Sequence, residues 1–229
     1  MRKLNVIKGD MVFQWKYGFY LLYFIMTILY LTIFSYLSGD AKAVVVTICV
    51  YSDPAAMGMF FMGALILLEK SQRVINSIAV SPVTPGEYIG GKVTSISIIS
   101  LLVGLILMSR GRTDSMISCG IGILGASVLF SLCGIIVGTK IENVNQYIVG
   151  TLPFEILGFV PVIAYRAGFL WNDLRMLMHP GCAAVRLIEG DKRVMLPALV
   201  SVMAWIVVFY IVALHSTRKM FRTVGGVKL

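Results

Sequence analysis

Acidic residues are scarce in this chain, 11 against 20 lysines and arginines, and only 14% of its residues carry a charge. So little charge beside a hydrophobic content of 58% excludes a single soluble domain, which could not hide that much apolar surface. Missing motifs narrow the chemistry further. No G-x-x-x-x-G-K-[ST] is present to cradle nucleotide phosphates, and neither H-E-x-x-H nor G-x-S-x-G occurs. The two histidines, His179 and His215, fall on opposite sides of the bilayer in the topology below and cannot share a metal. Cys49, Cys119, Cys133 and Cys182 lack C-x-x-C spacing and read as small packing residues. We therefore expect no enzyme centre, metal or cofactor on this chain.

What the sequence has instead is long apolar runs, with a mean hydropathy of +0.88. A bilayer crossing takes about 20 residues at about 1.5 Å each. Six runs qualify: Tyr17 to Gly39, Ala43 to Leu68, Val93 to Ser109, Ser115 to Thr139, Val144 to Tyr165 and Val194 to Leu214. The expected fold is all-α integral membrane with six transmembrane helices in one domain, residues 1–229. Tyr17, Phe19, Tyr20 and Tyr23 would form an aromatic belt at the first span. The apolar run after Lys16 is longer than a signal-peptide h-region and has no A-x-A site after it, so we expect it to be retained.

Six spans place both ends on one side, and lysine and arginine resist export. With both ends inside, the cytoplasm receives Arg2, Lys3, Lys8, Lys16, Lys70, Arg73, Lys92, Lys140, Arg218, Lys219, Arg222 and Lys228, twelve of the 20. This N-in, C-in topology and anionic lipid account for the formal charge of +9 better than nucleic acid, which is not an expected partner.

Before the first span, Leu4, Ile7, Met11 and Trp15 recur at helical spacing while Lys3, Lys8, Asp10 and Gln14 fall elsewhere. Residues 1–16 should be an amphipathic helix in the membrane interface, the alternative being an unstructured basic leader. In the second run, β-branched Val44 to Tyr51 reads as an extended piece buried against protein, and Asp53-Pro54 as a helix start. From Pro54 to Leu68 that helix spans only about 22 Å, so it should continue past Glu69, where nothing breaks a helix until Ser81-Pro82. Then Thr84-Pro85-Gly86-Glu87 forms a capping box that starts the next helix. The segment 69–92 is thus a rigid cytoplasmic knob: a helical extension, a turn at Ser81, Pro82 and Val83, and a capped restart. It has the form of a docking surface.

In the fourth run, Ser118, Gly122 and Ala126, then Gly134 and Gly138, make a small-residue face for close helix packing. Glu155, between Pro153 and Pro161, is the one charge deep within a run and should face the bundle interior or a water-filled cavity. It is either a contact for cationic substrate or a proton-sensitive site, or a structural hydrogen bond to a neighbouring helix. The outer loop, 166–193, carries an N-cap at Asn172 or Asp173, a short helix ending before His179-Pro180 and an apolar helix from Gly181 to Ile188, both expected on the outer surface. The tail HSTRKMFRTVGGVKL reads as a basic inner anchor.

The stretch SDPAAMGMFFMGALILLEKSQRVINSIAVSPVTPGEYIGGK resembles the second-span and first-loop signature of type-2 ABC export permeases at Asp53, Pro54, Phe60, Phe61, Glu69, Lys70, Val80, Ser81, Pro82, Glu87, Tyr88, Gly91 and Lys92. The opening GDMVFQWKYGFYLLYF is similar to the fluoroquinolone-type subgroup. That resemblance covers about a third of the chain. It implies a permease of the bacterial cytoplasmic membrane that exports an amphiphilic drug or peptide, works as a dimer with an identical or homologous permease, and is driven by two copies of a separate ABC ATPase carrying ATP and Mg. It further implies that Arg73 to Val83, with Glu69 and Glu87, couple to that ATPase. The substrate path would involve spans one, two and five, with Glu155, Phe60 and Phe61 as candidates. Alternatives are a self-immunity exporter of antimicrobial peptides and a non-transporting membrane anchor for a soluble partner.

Overall fold

The computed structural model describes residues 2–52, 57–168 and 174–224. Its elements are α1 (Arg2–Lys16), α2 (Phe19–Tyr36), α3 (Gly39–Val50), α4 (Met57–Ser71), α5 (Val74–Val80), α6 (Pro85–Met108), α7 (Met116–Gly138), α8 (Val144–Arg166), a 3-10 turn (Leu174–Met178), α9 (Pro180–Glu189) and α10 (Met195–Val224). No strand occurs among the described residues.

Among the described residues, five helices are long and apolar enough to cross a bilayer: α2, α6, α7, α8 and α10. The stretch read as a second span divides into α3 and α4, each too short to cross alone. The helix start at Asp53-Pro54 lies outside the described residues. Val44 to Tyr51 is not extended as expected, since α3 is helical from Gly39 to Val50. The strand preference of β-branched residues is weak, and among apolar neighbours a lone strand would leave its backbone groups unpaired. As a helix the segment buries Val46, Thr47 and Val50, and Gly111 admits Val46, whose Cγ1 would lie 2.7 Å from a Cβ at that position.

The bundle is organised around α7, most of whose residues from Gly122 onward are buried. Its small residues have identifiable partners. A Cβ on Gly134 would sit 2.7 Å from the carbonyl oxygen of Met59 on α4, and one on Gly122 would sit 2.7 Å from the backbone nitrogen of Ile188 on α9. Since lipid and core are about equally apolar, such close backbone approach supplies the dispersion contact that holds membrane helices together. A Lys70 ammonium on α4 also donates to the carbonyls of Gly138, Thr139 and Ile141 at 2.9, 3.1 and 2.7 Å. It caps the exposed carbonyls that end α7.

Two ends follow from these contacts. At one lie α1, the C-terminal ends of α4, α7 and α10, α5, and the start of α6. At the other lie α3, the turn between α6 and α7, and α9, with the Asp114 N–H donating to Glu189 O at 3.0 Å and Arg166 pairing with Glu189 at 2.6 Å. His215 and His179 sit at opposite ends, as the sequence suggested. Beyond Leu214, α10 runs on as helix to Val224, so most of the basic tail extends this helix.

The expectation of a surface cap fails for α9. Gly181 through Val185, Leu187 and Ile188 are buried, wedged among α7, α8 and α10. A short helix can be interred here because its backbone ends are satisfied: the Ser118 hydroxyl donates to Leu187 O at 2.9 Å and His179 Nδ1 accepts from the Cys182 N–H at 3.4 Å. Its small side chains permit close packing. The preceding N-cap at Asn172 or Asp173 lies outside the described residues.

Candidate functional site

The most densely built polar feature is a buried charge cluster beneath the segment 69–92. Lys92, one turn beyond Tyr88 on α6, has no exposed surface. Its ammonium donates to Glu69 Oε1 at 2.6 Å and Asp10 Oδ1 at 3.1 Å and lies 4.9 Å from the centre of the Tyr88 ring. The Tyr88 hydroxyl donates to Glu69 Oε2 at 2.7 Å. Gln14, one helical turn from Asp10, donates to Ser95 Oγ at 2.8 Å. Three helices are thereby fastened by ionic and polar contacts: α1 through Asp10 and Gln14, α4 through Glu69, and α6 through Tyr88, Lys92 and Ser95. Phe221 of α10 closes the cluster, edge-on to Tyr88 at 5.4 Å.

This corrects the reading of α1 as a helix whose polar residues face away. Asp10 and Gln14 point into the protein, while Val12 and Trp15 are outward, Trp15 75% exposed. A buried lysine strongly favours carboxylate partners, and the apolar residues of α1 lose nothing if they face lipid. Close approach depends on Gly91, where a Cβ would lie 2.5 Å from Val6 Cγ1. Burial holds the Asp10 carboxyl above its ordinary value, Lys92 pulling the other way and Glu69 adding to the rise. The aromatic belt is likewise partly internal: Phe19 and Tyr23 pack on Phe61 with centroids 4.8 and 4.9 Å apart.

Above the cluster the knob takes form, with one departure. Rather than continuing as one helix, α4 ends at Ser71, Arg73 adopts φ 57°, and α5 restarts in a new direction. The bend lets Ile75 bury and Ile78 and Ala79 pack against the core around Tyr88 and Phe221, apolar surface that an outward extension would leave in water. The turn is as read: α5 ends at Val80, the Ser81 hydroxyl donates to Ile78 O at 2.7 Å, and the Val83 N–H donates to Ser81 Oγ at 3.3 Å. The capping box is complete, Glu87 N–H donating to Thr84 Oγ1 at 3.2 Å and Thr84 N–H to Glu87 Oε2 at 2.9 Å.

The coupling candidates therefore separate. Arg73, Val80 and Pro82 lie on the surface, Val80 79% exposed; Ser81, Val83 and Glu87 are half-buried. Glu69 is inside the charge cluster and cannot itself touch a partner. Among the path candidates, Phe61 is buried between α2 and α4, whereas Phe60 is exposed. Glu155 is half-buried on α8, its Oε1 shielded from solvent and without a hydrogen-bond partner. Asp10 and Gln14 were missed as site residues, yet a lysine at the edge of an apolar run and an Asp and Gln four apart on the N-terminal helix were the signal for them.

Two cavities complete the geometry. One of about 250 Å³ lies within the bundle between α7, α8, α9 and α10, walled by Tyr51, Phe130, Phe154, Trp205 and Phe209. Another, of about 820 Å³, opens at the α5 end between α4, α5, the turn joining α7 to α8, and α10.

Fold and site together define a polytopic helical membrane protein with a braced helix-turn knob at one end. No family model matches the chain. Over 131 residues, 56% of its length, it is 27% identical to a protein named "Fluoroquinolones export permease protein" from Mycobacterium tuberculosis strain CDC 1551 / Oshkosh, and to one of the same name from strain ATCC 25618 / H37Rv at the same identity. The aligned region spans about half the length of these curated relatives, 54% of each. The chain is thus similar to export permeases of the subgroup that its motifs resemble.

Proposed function

We propose that this chain is the membrane-spanning permease subunit of an ATP-driven exporter in the bacterial cytoplasmic membrane. In this reading α3 and α4 together make the second of six spans, and the α5 end faces the cytoplasm. A separate ABC ATPase, in two copies with ATP and Mg, docks on Arg73, Val80, Ser81, Pro82 and Val83. The observation that carries the reading is the knob's mounting. It joins α4 and α6, and both of those helices are fastened to α1 by the Lys92 cluster immediately beneath it. A push on α5 is therefore delivered to three helices as a rigid-body displacement and not lost in a loose connector.

Export then follows by alternating access between two permease subunits, identical or homologous. The long, little-buried α2 and α8 supply faces for that pairing. Phe60 and Glu155 would border the path, the unpartnered carboxylate oxygen offering a contact for a cationic group on an amphiphilic drug or peptide. The likeness to relatives named for fluoroquinolone export favours drug over peptide.

The test is to co-express the chain with ABC ATPase subunits from the same genome and to measure co-purification, ATP turnover and ATP-driven efflux of a fluoroquinolone from vesicles. Arg73→Glu with Val80→Asp should abolish co-purification and efflux while leaving the permease folded. Efflux that persists undiminished in this variant would refute the docking assignment.

A further inference from the structure

The cavity at the α5 end carries an assignment of its own. Its walls bear the ammonium groups of Lys70, Lys140 and Lys219 and the imidazole of His215, against one carboxylate, Glu142. The three N–H donors of Lys70 are spent on the carbonyls ending α7, so that group contributes field without a free hydrogen bond. Lys140 and Lys219 are exposed, and Asn76 and Ser216 add neutral donors along the wall. The net field is positive with histidine neutral, three cations against one anion. Oxygens spread over a phosphate suit several separated donors better than a planar carboxylate does.

The position supplies the second half of the argument. Val212 of α10 lines the same cavity, and Val207, Val208 and Ile211, immediately before it, are all about half exposed on this long apolar helix. An anion seated here lies where a lipid-facing helix enters the headgroup layer. A ligand with a phosphate at one end and acyl chains at the other satisfies both surfaces. We infer that this groove binds the headgroup of an anionic phospholipid, with its chains along α10, bridging α5 to α10 through Asn76 and Lys219. The inference rests on the bilayer placement of α10 and not on the export reading.

The full chain, purified in detergent, is titrated with phosphatidylglycerol, with phosphatidylcholine and with inorganic phosphate, and bound lipid is counted by native mass spectrometry. We expect one tightly held phosphatidylglycerol per chain. Neutralising Lys140→Gln with Lys219→Gln should weaken it about thirtyfold, each surface lysine being worth about fivefold. The same charge change far away, Lys192→Gln with Arg193→Gln, should leave binding within about twofold. Equal retention of phosphatidylcholine, no loss in the groove variant, or displacement of the lipid by low millimolar phosphate would each overturn the assignment, the last by making the ligand a free anion. Absence of ATP-driven efflux by the unmodified chain, with lipid binding intact, would count against the export reading alone.

Discussion

Replacing Lys92 by methionine is the sharpest probe of the architecture. Methionine keeps the length and apolar stem of the side chain but removes the ammonium held 2.6 Å from Glu69 and 3.1 Å from Asp10. Breaking a buried pair in this way costs about 3 to 5 kcal/mol, because the surviving carboxylate stays buried without a counter-ion. Here the lower end applies. Burial already biases Asp10 toward its protonated form, so it will take up a proton when Lys92 is gone, and the penalty falls chiefly on Glu69, which keeps the Tyr88 hydroxyl. At about 3 kcal/mol and about 2 to 4 °C per kcal/mol for a chain of this size, Tm should fall by about 6 to 12 °C. The four free cysteines, three of them buried, suit a thiol-reactive fluorogenic dye that reports unfolding in detergent. The triple variant Asp10→Asn, Glu69→Gln, Lys92→Met removes every charge and should recover most of the loss. A single variant within about 2 °C of the parent, or a triple no better than the single, would show that the cluster is wet and carries no strain between α1, α4 and α6.

Gly91→Ala should lower Tm by about 2 to 12 °C through overpacking of about 1 to 3 kcal/mol against Val6, and Val6→Ala in the same chain should restore it; failure to restore would mean α1 does not seat on Gly91. His179 accepts from the Cys182 N–H through Nδ1 and so donates through Nε2 to Leu157 O at 2.9 Å, an arrangement only the neutral ring can make; burial lowers its pKa. The folded state therefore binds fewer protons than the unfolded one below the usual histidine value, and stability should be full above about pH 6.5 and fall as the pH drops toward the lowered value. His179→Gln should flatten Tm between pH 7 and 5, and unchanged slopes would refute the tautomer. Arg73→Gly should hold stability or raise it by up to about 1 kcal/mol, about 2 to 4 °C in Tm, since φ 57° is unfavourable for a residue with a Cβ; a fall of more than about 2 °C would mean that the arginine side chain has a structural role.

How much of this was legible in the sequence depended on the range of the interaction concerned. The capping box at Thr84 and Glu87 and the stop at Ser81-Pro82 are settled within four residues, and both stand where the residues put them. The small-residue face of α7 was visible as spacing, though nothing local could say that Gly134 receives α4 and Gly122 receives α9. Where local preference misled, a tertiary contact had overruled it. Val44 to Tyr51 looked extended until Gly111 and Leu107 offered Val46 a helical seat. The bend at Arg73 has no breaker residue at all; it is stabilised by burial of Ile75 on surfaces contributed by α6 and α10. Asp10 and Gln14 looked like a solvated face because their partners lie 82 and 81 residues away.

That last misreading bears on mechanism. An amphipathic helix lying on a membrane by its apolar face alone could slide or lift without consequence for the rest of the chain. Here α1 is tied by charge to the same lysine that holds α4 and α6, so its position is set by the helices that carry the knob. Moving α4 relative to α6 would stretch Glu69 away from Lys92 in a medium of low dielectric, where separating the pair is far more costly than bending α2 or α8, whose long faces are little buried. Displacements entering at α5 should therefore leave α1, α4 and α6 as one body and be taken up at α2 and α8. Distance measurements between spin labels on α1 and α6 should stay constant through an ATPase cycle while those from α6 to α8 change. The opposite pattern would place the hinge inside the charge cluster and remove the basis for treating it as a brace.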